Sequence, residues 1–100
     1  MRTPTALVLA SLLWAGVPVG LAAQSETVEM KEWTVPWERS RPRDPYVGPD
    51  GRVWFVGQVG NYVAYLDQTS GEFKRYELDE GVHPHNLIVD PQGTVWYAGN

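Results

Sequence analysis

His83 and His85 stand on either side of Pro84, directly ahead of the β-prone run Leu87-Ile88-Val89. An unperturbed imidazole titrates near about 6.5, so a ring at this place can take up a proton at neutral pH. His85, at the head of the run, is the candidate base; its competing reading is a ring that hydrogen-bonds neighbouring strands. His83 precedes the run and reads as a loop residue. Exactly the same positions one repeat earlier hold Arg41 and Arg43, and Asp44 aligns with Asn86. Arg41, Arg43, Asp44, His83 and Asn86 are therefore candidate ligand-binding groups, with ion pairing on a solvated loop as the alternative for the first three. The sequence holds no phosphate loop, nucleophile elbow or zinc spacing. Asp44, Asp50, Asp67, Asp79 and Asp90 are scattered at turns and do not form a calcium loop. No metal ligand is assigned.

The elements that must position these residues come in a repeat. Residues 41–57 read RPRDPYVGPDGRVWFVG and residues 83–99 read HPHNLIVDPQGTVWYAG, an offset of 42. Identities include Pro42/Pro84, Gly51/Gly93, Trp54/Trp96 and Gly57/Gly99, with Phe55/Tyr97 a further aromatic match. A period in the forties admits helical solenoids or four-stranded propeller blades. Local chemistry selects the second. Pro-Asp-Gly and Pro-Gln-Gly are turn signals, and Val53-Trp54-Phe55-Val56 and its copy are rich in β-formers. Gly60-Asn61 turns into Tyr62-Val63-Ala64-Tyr65-Leu66, and Gln68-Thr69-Ser70-Gly71 turns into residues 72–78. The spacing predicts strands near 45–48, 52–57, 62–67 and 72–78, then 86–90 and 94–98. This is an all-β chain, a β-propeller of about 1.8 blades. Residues 41–82 are the first complete blade and 83–100 the start of a second, truncated one. Residues 32–37 (EWTVPW), within an N-terminal segment at 24–40, are expected to be an outer strand closing the last blade of a full ring. Trp54 and Trp96 are expected at equivalent, substantially buried positions. Glu72, Lys74, Arg75 and Glu77 read as an exposed outer strand of mixed charge.

Residues 1–23 precede all this. Arg2 supplies a short positive start, residues 6–23 are apolar apart from Ser11, and small residues close the run. That is the pattern of a secretory signal peptide, with an uncleaved anchor as the alternative. Removing residues 1–23 takes away one cation and no acid, moving the net charge from −4 to −5. An acidic domain without a basic stripe excludes nucleic acid and anionic membrane surfaces as partners. The chain has no cysteine, and export without disulfides suits a bacterial envelope protein, secreted or periplasmic.

The residues resemble the virginiamycin B lyase (streptogramin lyase) family of seven-bladed propellers. The resemblance lies in Pro45-Tyr46-Val47, Pro49-Asp50-Gly51, Trp54-Phe55, Asn61-Tyr62-Val63, Leu66-Asp67, the run from Gly71 to Leu78, and Pro84-His85-Asn86-Leu87-Ile88. It implies a carbon–oxygen lyase that opens a cyclic depsipeptide by elimination at an ester. Such chemistry needs a base and a Lewis acid. By resemblance the base is a histidine in a Pro-His-x-Ile segment, a place His85 occupies in the blade pattern. Magnesium is held partly by a glutamate ending a Trp-Phe-Thr-Glu strand, where this sequence has Gly57 and Gly99. The family's catalytic blades lie late in the ring, beyond residue 100.

The leading expectation is an exported lyase-like propeller, monomeric when the ring is closed, with a small-molecule ligand at the channel mouth. A non-catalytic propeller binding a protein or polysaccharide is the first alternative. A metal-dependent lactonase-type hydrolase is the second. Fold is a matter of packing, and the same blade serves several activities.

Overall fold

A computed structural model describes residues 25–100 together with Gly16. The signal-peptide reading of residues 1–23 lies outside the described residues apart from that glycine. Six strands follow in order: β1 (Pro42–Val47), β2 (Val53–Gly57), β3 (Tyr62–Leu66), β4 (Phe73–Glu77), β5 (Asn86–Val89) and β6 (Val95–Ala98). The first four form one antiparallel sheet in sequential order, and β5 pairs with β6 in a second. There is no helix among the described residues. The expected strands stand close to where the turn chemistry placed them, with the architecture of one propeller blade and the opening of the next; β1 begins three residues earlier than the expected 45, so Arg43 and Asp44 lie within it.

The turns recur with the repeat. Gly51 and Gly93 have φ of 83° and 84°, a conformation that costs a residue with a Cβ. Before the first glycine, Asp50 Oδ1 accepts the Arg52 N–H at 3.0 Å. In the copy, Asp90 Oδ1 accepts the N–H groups of Gln92 and Thr94 at 3.0 and 2.9 Å. Between β3 and β4, Asp67 does the same for Thr69 at 2.9 Å. Short carboxylates that bond backbone two residues on are what make these tetrapeptides turn.

Side-chain alternation gives the first sheet two buried faces. On one face Phe55, Tyr62 and Ala64 form a core, with Val35, Trp37 and Phe73 packed against it. On the other, Val56 and Val63 meet Leu87 and Val89 of the second sheet, flanked by Trp54, Leu78 and Val95. That second cluster is the inter-blade contact the repeat implies.

Residues 32–37 form no strand ladder. Trp33, Val35 and Trp37 are half-buried while Thr34, Pro36 and Glu38 are exposed, so the segment has a strand's alternation without a paired edge. Its apolar side chains cover the Phe55 face. Two expectations are corrected. Trp96 is equivalent to Trp54 in register, opposite Ile88 as Trp54 is opposite Tyr46, but it is 60% exposed. No sheet packs on its face among the described residues. Arg75 is not a solvated outer-strand charge. It lies over the Tyr62 and Trp37 rings at 4.2 and 5.5 Å and donates to Gly60 O at 3.1 Å.

Candidate functional site

The polar residues singled out by type come together where β1 and β5 begin. Arg41 and His83 occupy one repeat position and share left-handed backbone, with φ of 47° and 44°. Arg39 and Gly81 repeat the same feature two residues earlier, at 51° and 81°. Non-glycine residues hold this conformation only when their surroundings insist on it. Here the surroundings are backbone ties. Gln58 N–H donates to Arg41 O at 3.2 Å, and Val59 and Gly60 N–H both donate to Ser40 O at 3.1 Å. His83 N–H donates to Asn61 Oδ1 at 2.7 Å, and Asn61 Nδ2 in turn donates to Asp79 O at 2.8 Å. His85 N–H donates to Ala98 O at 2.8 Å. Both histidines are thus held through their own main-chain N–H groups, and both residues are exposed.

Arg43 and Asp44 sit at an irregularity in the β1–β2 ladder. Arg43 is opposite Val56 and Tyr46 opposite Trp54, so two residues of β1 face one of β2. Asp44, in the bulge, has φ of 52°. The next residue, Pro45, has no N–H to give to a ladder. A bulge of this kind re-aims neighbouring side chains. Arg43 Nε pairs with Asp44 Oδ2 at 3.4 Å, while its Nη1 donates to Gln58 Oε1 at 3.1 Å.

Gln58 is the residue that sequence reasoning missed. It follows β2 and joins both blades. Its Nε2 lies 3.3 Å from His85 Nδ1, and its main-chain oxygen lies 3.1 Å from His83 Nδ1. Asp44, Arg43, Gln58 and His85 therefore form one continuous line of polar side chains across the blade boundary. Arg41 joins only through its main chain. Asn86 is exposed and opposite Ala98, and no side-chain hydrogen bond links it to the line. The signal for Gln58 was its place, since it directly follows the repeated glycine that ends β2.

That glycine bears on the metal implied by resemblance. A Cβ on Gly57 would fall 2.2 Å from the Tyr62 ring, and one on Gly99 3.2 Å from Val82. Tyr62 is fully buried, and its hydroxyl donates to Ser40 Oγ at 2.9 Å, so its ring cannot yield. A glutamate does not fit at residue 57. Among the described residues no three His, Cys, Asp or Glu side chains converge on a point. These residues do not match a magnesium site.

Other concavities lie elsewhere among the described residues. An apolar groove of about 240 Å³ between the sheets is lined by Trp54, Val63, Tyr76, Leu78, Val95 and Tyr97. A cleft of about 420 Å³ lies at the other end of the strands, between the turns carrying Asp50 and Gln92. Near the latter, Asp90 Oδ2 accepts the Trp96 indole N–H at 3.0 Å. That bond, with the N–H of Thr94, holds the Asp90 carboxyl below its ordinary value.

Solved structures share this fold. Virginiamycin B lyase from Staphylococcus aureus, in its selenomethionine form, matches with a TM-score of 0.64 and 30% identity. A catalytically inactive histidine-to-alanine variant of that enzyme with quinupristin matches at 0.63 and 30%. A streptogramin B lyase structure matches at 0.64 with 24% identity, which bears on fold alone. Each match covers 70% of this chain and 24% of the other, so the chain spans about a quarter of the structures it resembles. No family model matches the chain, and no curated protein does. The chain is lyase-like in its propeller architecture.

Proposed function

We propose that these residues form part of the mouth of an exported streptogramin-lyase-like propeller, which opens a cyclic depsipeptide ester by elimination. The observation that carries this reading is the Arg43–Gln58–His85 line across two blade entrances. It places a cation, an amide and an imidazole at the end of the sheet where inner strands begin. The resemblance to lyases, one of them a histidine variant described as inactive with quinupristin bound, supports a ligand of that chemical class. Arg41, Arg43, Asp44, His83 and Asn86 supply polar contacts to it, and repeat position alone assigns the proton-handling role to His85. Magnesium, if the intact protein uses it, is held by residues other than Gly57 and Gly99.

The test is incubation of the intact protein with quinupristin, followed by mass spectrometry of the product. Elimination opens the ring with no change in mass, whereas hydrolysis adds one water. An opened product of unchanged mass supports the lyase reading. A product heavier by one water points to the lactonase-type alternative, and saturable binding without conversion to the non-catalytic one. Absence of both binding and opening would overturn the proposal.

A further inference from the structure

Two contacts of Gln58 constrain where the protons of both histidines lie. An arginine is a donor only, so the Gln58 side-chain atom facing Arg43 Nη1 at 3.1 Å must be the amide oxygen. The other arm of the amide is then the NH₂, and it faces His85 Nδ1 at 3.3 Å. That ring nitrogen must accept, which leaves the His85 proton on Nε2. The contact to His83 runs the other way. Its partner is the Gln58 main-chain carbonyl at 3.1 Å, which can only accept, so His83 Nδ1 must carry a proton. In the neutral ring the Nε2 lone pair of His83 is then free.

We infer that Gln58 sorts His83 and His85 into opposite tautomers, making His83 Nε2 the proton acceptor of this mouth and His85 Nε2–H its hydrogen-bond donor. The inference rests on the mouth being a ligand site, and it reverses the roles that repeat position alone suggested for the two rings. Gln58 acts as a positioning residue through its two different groups. Arg43 acts one step further back, by keeping the amide from turning over. A ligand with a carbonyl or ester oxygen suits His85, and one with an acidic hydrogen suits His83.

The tautomers can be read directly by long-range ¹H–¹⁵N correlation of the imidazoles in the intact protein at neutral pH. The expected result is Nε2–H for His85 and Nδ1–H for His83. The second is the more telling, because free histidine favours Nε2–H. Gln58→Glu replaces the donating arm with a carboxylate that only accepts, so His85 should switch to Nδ1–H. His83 should not change, since its partner is main chain. An unfolded variant would instead lose the His83 signature, which separates misfolding from the predicted switch. Nε2–H at His83 in the unsubstituted protein, or an unmoved His85 in folded Gln58→Glu, would overturn the inference. Failure to bind or open quinupristin would leave these spectra as they are, so it would count against the ligand reading alone.

Discussion

The first blade and the opening of the second carry the same pattern in their inner two strands, yet they are buried to different degrees. Phe55 is 7% exposed and its copy Tyr97 is 45% exposed. Trp54 is packed against the inter-blade cluster, while Trp96 turns its indole N–H to Asp90. The first sheet has cover on both faces, from residues 33–37 on one side and from β5 and β6 on the other. Among the described residues the second has it on one. Strand register is therefore local, set by turns and alternation, whereas burial belongs to whatever packs on each face. The Phe55 face shows this well, because its cover comes from a segment that pairs with no strand among the described residues.

The comparison is broken or sharpened most strongly at the aromatic pair. Phe55→Ala should cost about 3–5 kcal/mol, the range for emptying an aromatic core position. Tyr97→Ala, at the equivalent register, should cost under about 1 kcal/mol in this chain. Urea denaturation midpoints of the two variants measure the difference. Equal losses would mean that register, not cover, decides the energetics.

A smaller contrast is expected at the repeated glycine. Gly57→Ala drives a methyl to 2.2 Å from the Tyr62 ring, and Gly99→Ala brings one to 3.2 Å from Val82. The first should destabilise by about 3 kcal/mol and the second by about 1 kcal/mol or less. Thermal melts would show it, and a harmless Gly57→Ala would remove the steric case against a glutamate there.

The smallest effect concerns the turns. Asp90 is held below its ordinary 3.8, first by the Trp96 indole and then by backbone N–H groups. A depressed carboxylate contributes stability that is complete above the unfolded value and lost as pH falls through the folded one. The Trp96 indole N–H resonance should therefore shift with a midpoint below about pH 3.8. Trp54 should show no such transition, because Gly48 stands where Asp90 does in the copy. A Trp96 transition centred above that value would contradict the hydrogen bond.

Much of the fold was legible before any coordinates. Glycines at φ near 84° and short acids beside them mark turns by their own chemistry, and the tryptophans mark the strand between. The site was legible only in part. His83, His85, Arg43 and Asp44 stood out because imidazole, guanidinium and carboxylate are rare groups at matched repeat positions. Gln58 did not, since an amide after a strand is unremarkable until its two neighbours are known. Residues 32–37 showed alternation, and alternation is silent on whether a chain pairs its edge or lays down its side chains.

By itself the amino-acid order determined the period, the turn positions, the approximate strand positions and the polar character of the blade entrances. All of these depend on residues close along the chain, where backbone dihedrals and alternation act directly. Tertiary structure alone decided three things. It placed the Tyr62 ring over Gly57, gave Arg75 two aromatic faces, and brought Gln58 between Arg43 and the histidines of the next blade. Each joins residues at least five apart in sequence, and most far more, so only the packing of one strand or sheet on another could bring them within reach.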